Sequence, residues 1–194
     1  MMMLGMSVYI GVDPSLNRPG LAILKNGLEV EFLNALSVSR KLRGAERLAT
    51  IFSWAASHTR FPLGVVTGGC IEGPSLGSTH REFDLGEASG ALKVAVFEAA
   101  GVELQVIEPT RLKKFATGNG QASKAEVIHA VKVVFGIDLG DDDDSADALM
   151  LARLAWALDH KDELRRRCEL EVVTALQRGK PKRRSRAGRD PENI

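Results

Sequence analysis

The sequence predicts an α/β domain on a mixed five-stranded sheet, three antiparallel strands followed by two parallel ones, flanked by helices. Three short apolar runs stand together near the start, with Asn26-Gly27 between the second and third. Helix-spaced segments then alternate with further apolar runs, the pattern of parallel strands joined by crossovers. With 194 residues, 44% of them hydrophobic, the chain is long enough for one domain with a sizeable core and a tail. Aromatic residues make up only 5%, so aliphatic side chains must supply most of the packing.

Ser7 to Val12 reads as a strand running into Asp13, and the turn-rich Pro14 to Gly20 breaks it. Leu21 to Leu24 and Leu28 to Phe32 flank Asn26-Gly27, a hairpin signal because both residues tolerate positive φ. From about Ala45 to His58, Leu48, Ile51, Phe52 and Ala55 recur at helical spacing. Val65 to Ile71 reads as a buried strand ended by Glu72-Gly73-Pro74. Phe83 to Ala100 reads as an alanine-rich helix stopped by Gly101, and Leu104 to Ile107 as a strand stopped by Glu108-Pro109. Leu112 to Gln121 holds basic residues and Gly-Asn-Gly, which predicts a short helical turn and then a loop. Ser123-Lys-Ala-Glu126 is a capping box, opening a helix with Val127, Ile128, Val131, Val134 and Phe135 on its apolar side. The last helix is expected to start within Asp142 to Asp144 and to run to about Arg165. No structure is expected for the methionine-rich residues 1–6, and no internal repeat is visible.

The formal net charge of +1 is a misleading mean. Residues 177–194 carry seven basic and two acidic groups, whereas the preceding 176 residues carry 19 basic and 23 acidic ones. A slightly acidic body with a cationic, Pro- and Gly-containing end predicts a disordered tail that meets a polyanion. Lys180, Lys182, Arg183, Arg184 and Arg186 are its candidate phosphate contacts. The apolar runs are far short of the roughly 20 residues needed to cross a bilayer, which predicts no membrane association. Two cysteines, Cys70 and Cys168, make no disulfide framework, so a reducing cytoplasm is expected. His58, His80, His129 and His160 lack zinc-ligand spacing.

The chemistry lies in acids at strand ends. Ligands of such sheets sit beyond the carboxyl ends of the strands. Asp13 and Glu72 end two strands there, and Asp144 and Asp147 lie one turn apart at the start of the last helix. The face carrying Asp144 and Asp147 continues through Leu151, Leu154 and Leu158, read as the stripe that packs on the sheet. Each acid also has an ordinary reading, as a turn residue, a strand end or a first-turn complement to the helix dipole. That reading suits Asp141, Asp142 and Asp143. The four others together suit Mg²⁺ or Mn²⁺, because converging carboxylates cannot all stay ionised without a cation. Two such ions about 4 Å apart are a known device for phosphodiester cleavage.

Gly11-Val-Asp13-Pro, Gly20-Leu-Ala, Ile71-Glu72 and Asp144-Ser-Ala-Asp147-Ala-Leu, in that order, resemble the RuvC family of Holliday-junction resolvases. The resemblance spans about residues 7–160 and implies an RNase H-like fold, hence a nuclease domain over 7–176 with a tail over 177–194. It implies Asp13, Glu72, Asp144 and Asp147 as catalytic metal ligands for two ions. Leu112 to Lys124 is similar to the family's basic loop, which implies DNA-facing roles for Lys113, Lys114 and Lys124, with Lys124 also catalytic. The implied partners are a four-way DNA junction and a second copy of the chain, the dimer using the helix at 83–100. No organic cofactor is implied. The implied activity is paired symmetric nicking by hydrolysis.

The chain departs from the family in two places. Ser15 stands where a glycine is usual, and the stretch after Glu72 lacks the bacterial enzymes' aromatic residue. A phage-type or divergent bacterial relative would fit these departures. Alternatives on the same residues are a relaxed flap nuclease, a catalytically idle DNA-binding protein, and an ATP-binding domain whose phosphate loop is Asp13 to Gly20. The last class needs two such domains, and the length here allows one.

Overall fold

The computed structural model describes residues 7–62, 65–74 and 81–178. Strands β1 (Val8–Asp13), β2 (Gly20–Lys25) and β3 (Glu29–Ala35) form an antiparallel meander. The β2–β3 turn has positive φ at Asn26 and Gly27, the conformation that the Asn-Gly pair permits. Strand β4 (Val66–Glu72) pairs parallel to β1, and β5 (Gln105–Ile107) pairs parallel to β4. The sheet order is β3-β2-β1-β4-β5, as expected for three antiparallel strands followed by two parallel ones.

Side-chain alternation along β1 divides the core. Val8, Ile10 and Val12 join a cluster with α1 (Gly44–His58) and α2 (Arg81–Ala100) on one face of the sheet. Tyr9 joins the other cluster, under α5 (Asp143–Asp159), and Gly11 and Asp13 share its parity. Outside α5 lie α3 (Pro109–Thr117), α4 (Lys124–Phe135) and α6 (Arg167–Arg178).

Three expectations are corrected. Helix α5 is not amphipathic with a single stripe. It is sandwiched between the sheet and the outer helices, so Ala146 through Ala157 are all buried except Asp147, and Leu158 is only half-buried. It also ends at Asp159 rather than near Arg165. A 3-10 turn over Lys161–Glu163 and an extended, buried Leu164 then redirect the chain into α6, an element the sequence reading did not assign. The signal for α6 was present, since Val172, Val173 and Leu176 are helix-spaced and buried. Finally, α3 is a full helix rather than a short turn. Pro109 ends the strand and also serves as a first helical residue, with Gly118 at φ 88° closing the helix. Other boundaries shift by one to three residues, the largest at β3, which runs to Ala35 rather than Phe32, and α6 carries the described fold to Arg178.

An ion network ties the outer layer to the sheet. Glu169, fully buried on α6, meets Arg153 of α5 at 3.4 Å and Arg166 at 3.3 Å. Arg153 also donates to the Gly27 carbonyl at 2.9 Å and lies 4.2 Å over the Trp156 ring. Arg166 donates to the Ala116 carbonyl on α3. Removing Glu169 would leave buried cationic charge uncompensated.

Helix α5 meets the sheet backbone to backbone. A Cβ on Gly11 would stand 2.0 Å from the Ala148 carbonyl oxygen and 2.3 Å from the Ala152 nitrogen. A Cβ on Gly20 would stand 2.3 Å from the Asp144 carbonyl oxygen. These approaches leave no room for any side chain. Gly11→Ala should therefore cost about 3 kcal/mol or more, above the usual overpacking penalty because backbone atoms cannot swing aside. Urea unfolding would measure it, and a midpoint equal to wild type would show that α5 is not seated on β1.

Candidate active site

The strands bring Asp13 and Glu72 together. The register Val12↔Ile71 leaves Asp13 and Glu72 next in line on adjacent parallel strands. Glu72 shares parity with Cys70, which lies in the α5-side cluster, so both acids face α5. The backbone beyond Glu72 is held by Gly73, whose N–H donates to the Ile107 carbonyl at 2.7 Å. Helix α5 begins over this point. Its N-cap Asp142 accepts from the Ser145 N–H at 3.2 Å and from the Ser145 hydroxyl at 2.8 Å. That cap fixes the first turn, which presents Asp144 and Asp147.

The four acids are coupled. Asp13 is 7% exposed, and its carboxyl is pushed well above the usual range, first by burial and then by the charges of Glu72, Asp147 and Asp144. Glu72 is pushed up to about 7, mainly by burial and then by Asp147, against the pull of Asp13, Lys113 and Lys124. The two carboxyls act on each other: the charge of Glu72 helps hold the Asp13 carboxyl up, while Asp13 draws that of Glu72 down. Asp147 rises to about 6 through burial and the charge of Asp143. Asp144 is also raised, by burial first and then by Asp143, with Arg18 opposing.

Basic groups stand at the rim. Arg18 reaches Asp144 at 3.1 Å and Asp142 at 2.9 Å. Lys124, the first residue of α4, pairs with Asp143, and its ammonium is held charged chiefly by that hydrogen bond. Its position is set by the capping box, in which Ser123 and Glu126 bond reciprocally. Lys113, half-buried on α3, lowers both Glu72 and Asp147 electrostatically. Neighbouring residues on a helix point about 100° apart, so Lys114 turns elsewhere and pairs with Glu171 of α6 at 3.3 Å. The sequence reading missed Arg18 and treated Asp143 as solvated charge. Nothing local signals a pairing between residues 124 positions apart. The tail residues Lys180, Lys182, Arg183, Arg184 and Arg186 lie outside the described residues.

All the donors at the centre are carboxylate oxygens. Among the described residues no three acids, histidines or cysteines form a ready-made metal cage. Arg18 and Lys124 at the rim offset part of the acidic charge. His58 packs on Phe32 and His160 stacks on Trp156, both away from these acids in sequence and partner.

The raised carboxyls make stability depend on pH. Between its ordinary 4.5 and about 7, Glu72 binds more proton in the folded chain than in the unfolded one, and Asp147 does so between 3.8 and about 6. Stability therefore falls as pH rises through these windows. Without divalent cations, the urea midpoint should decline from pH 5 to pH 8. Asp147→Asn should flatten the decline and raise the midpoint at pH 8. A wild-type midpoint independent of pH would show that these carboxyls are not desolvated.

Residues 9–154 match the family model described as crossover junction endodeoxyribonuclease RuvC. A protein of that name from Chelativorans sp. (strain BNC1) is 30% identical over 155 residues, covering 77% of this chain and 88% of its own length. The structure of RuvC from Thermus thermophilus shares the RNase H-like fold with a TM-score of 0.64 at 24% identity, covering 79% of this chain and 96% of that one. The T. thermophilus RuvC in complex with Holliday junction substrate gives a TM-score of 0.63 at 25% identity, covering 75% and 90%. On the match of residues 9–154 and the relative at 30% identity, the chain belongs to the RuvC family of crossover junction endodeoxyribonucleases.

Proposed function

We propose that this chain resolves four-way DNA junctions, as a structure-specific endodeoxyribonuclease making paired symmetric nicks. The observation that carries the reading is the convergence of Asp13, Glu72, Asp144 and Asp147 at one end of the sheet, with all four carboxyls raised mainly by burial. Burying four mutually repelling acids is costly unless something cationic is meant to join them.

The donor set fits a hard divalent cation, since it offers carboxylate oxygens and neither thiol nor imidazole. Asp13, Glu72, Asp144 and Asp147 would hold Mg²⁺ or Mn²⁺, as two ions. When bound, such ions supply positive charge to the phosphoryl oxygens and lower the pKa of an attacking water. The chain's own residues do the rest. Lys113 and Lys124 border the acids and can hold a phosphate beside them. Lys114, and the tail's Lys180, Lys182, Arg183, Arg184 and Arg186, would add charge for phosphates farther out. We assign residues 7–176 to the nuclease unit and place its action in a reducing cytoplasm, in keeping with a chain whose two cysteines, Cys70 and Cys168, make no disulfide framework. No helix among the described residues is long and apolar enough to cross a membrane.

Two symmetric nicks call for two sites, and a C2 dimer supplies them. Helix α2 supports that assembly. Its Ala88, Leu92, Ala95 and Val96 pack inward, while Phe83, Val94 and Phe97 are 83%, 49% and 58% exposed. Among the described residues, a Cβ on Gly86 or Gly90 would meet nothing within 4 Å, so their smallness serves no packing against those residues. Val106 of β5 continues the apolar strip beside Val94 and Phe97, around a cavity of about 610 Å³.

Incubation with a synthetic four-way junction, Mg²⁺ and mapping on a denaturing gel tests the reading. Asp13→Asn, Glu72→Gln, Asp144→Asn and Asp147→Asn should each lower cleavage by about 100-fold or more while junction binding is retained or tightened. EDTA should stop cleavage, and Ca²⁺ should support binding with little cutting. A variant that cuts at near wild-type rate would remove its residue from the site. Phe97→Glu should give a monomer by analytical ultracentrifugation and unpaired nicks in place of matched ones. Retention of the wild-type mass would place the dimer elsewhere.

A further inference from the structure

On the β3–α1 side, at the turn that follows Asp13, an open cavity of about 660 Å³ is lined by Arg40, Arg43 and Arg47, with Asp84 the acid among its walls. Its inner wall is Ser15 and Asn17, from the turn that follows Asp13. The two walls are joined by backbone bonds. The Val38 N–H donates to the Asn17 carbonyl at 2.8 Å, and the Leu36 N–H donates to the Pro19 carbonyl at 3.0 Å. The arginine-bearing loop is therefore fixed to the turn that carries Asp13, and buried Val38 anchors it in the core.

Arg43 and Arg47 are oriented by backbone carbonyls rather than by acids. Arg47 donates to the Leu42 carbonyl at 3.1 and 2.7 Å, and Arg43 donates to the same carbonyl at 2.9 Å and to that of Arg40. Among the described residues none of the three pairs with a carboxylate, unlike Arg18, Lys114 and Lys124. Arg40 and Arg43 are exposed. Arg43 is also the N-cap of α1 and supplies no side-chain cap, so the first amides of that helix open toward the same edge.

We infer that this cavity is a phosphate-binding channel for the DNA backbone, along which one arm of the substrate is led to Asp13. The inference rests on the nuclease reading and adds the path of the DNA to it. A guanidinium presents paired donors that match phosphate oxygens, and preset orientation reduces the entropy cost of binding. An open trough with three such groups and one acid suits an extended polyanion. Six of its eight lining residues are polar or charged, with Leu16 and Leu85 the apolar ones, whereas a small-ligand pocket is lined predominantly by apolar and aromatic side chains. Backbone phosphates carry no sequence information, so the channel positions DNA without selecting bases.

The test is binding to a four-way junction and to linear duplex in Ca²⁺, over a range of salt concentration, for wild type, R40Q/R43Q and R40K/R43K. Arg47 is left intact because its bonds to Leu42 hold the loop. For R40Q/R43Q the slope of log affinity against log salt should become shallower by about 0.9 for each phosphate that is no longer neutralised. Affinity near 0.1 M salt should drop by up to about tenfold for each such phosphate, on junction and duplex alike. R40K/R43K should recover most of the affinity, and urea midpoints should be unchanged. An unaltered slope in R40Q/R43Q, or a weakening that lysine does not recover, would overturn the channel. Wild-type cleavage of the junction in Mg²⁺ separates the two readings. If wild type cuts and the slopes agree, the channel alone fails. If wild type does not cut, the nuclease reading fails, and the salt slopes still decide whether the arginines meet DNA.

Discussion

The fold depends on α5 lying directly on the backbone of β1 and β2. Gly11 and Gly20 present bare backbone to the Ala148 carbonyl, the Ala152 nitrogen and the Asp144 carbonyl. Helix–sheet contact at this distance needs small residues on both sides, and the helix supplies Ala148 and Ala152. The seating fixes where the helix starts relative to the strand ends. Asp144 and Asp147 then stand over Asp13 and Glu72 with little freedom to retreat. A helix held off by side chains would carry its acids several ångströms farther from the strands.

The same seating explains why the outer layer is built as it is. A helix buried on all sides needs a second cover, and α3, α4 and α6 provide it. The Glu169 network with Arg153 and Arg166 then joins that cover to α5, α3 and the β2–β3 turn. The ionic groups replace apolar packing where three elements and a turn meet.

Local chemistry made the sheet legible. Asn26-Gly27, the apolar run before Asp13, and the apolar strand ending at Glu72 each carry their own signal, and the order of strands followed from them. The capping box at Ser123 was equally local, and it located Lys124. Helix α6 is harder to see although Val172, Val173 and Leu176 are helix-spaced, because basic residues dominate the composition around them. The uniform burial of α5 could not be read from periodicity, since a helix covered on all sides has none. Arg18 was invisible as a neighbour of the acids, and Arg40 to Arg47 as neighbours of the turn after Asp13. Their placement depends on long-range contacts between the turn after Asp13, the loop before α1 and the start of α5.

The ion pairs at the rim have a thermodynamic consequence. Lys124 is engaged by Asp143, and Arg18 by Asp142 and Asp144, so neither cation carries its full charge outward. Of their partners only Asp144 belongs to the proposed metal-holding set. A phosphate that drew Arg18 away would bare Asp144 for a cation, and a cation on Asp144 would release Arg18 toward a phosphate. By linkage the two affinities would rise by the same factor, whichever arrived first. DNA and metal would then be mutual effectors, coupled through the exchange of partners at the Arg18–Asp144 ion pair.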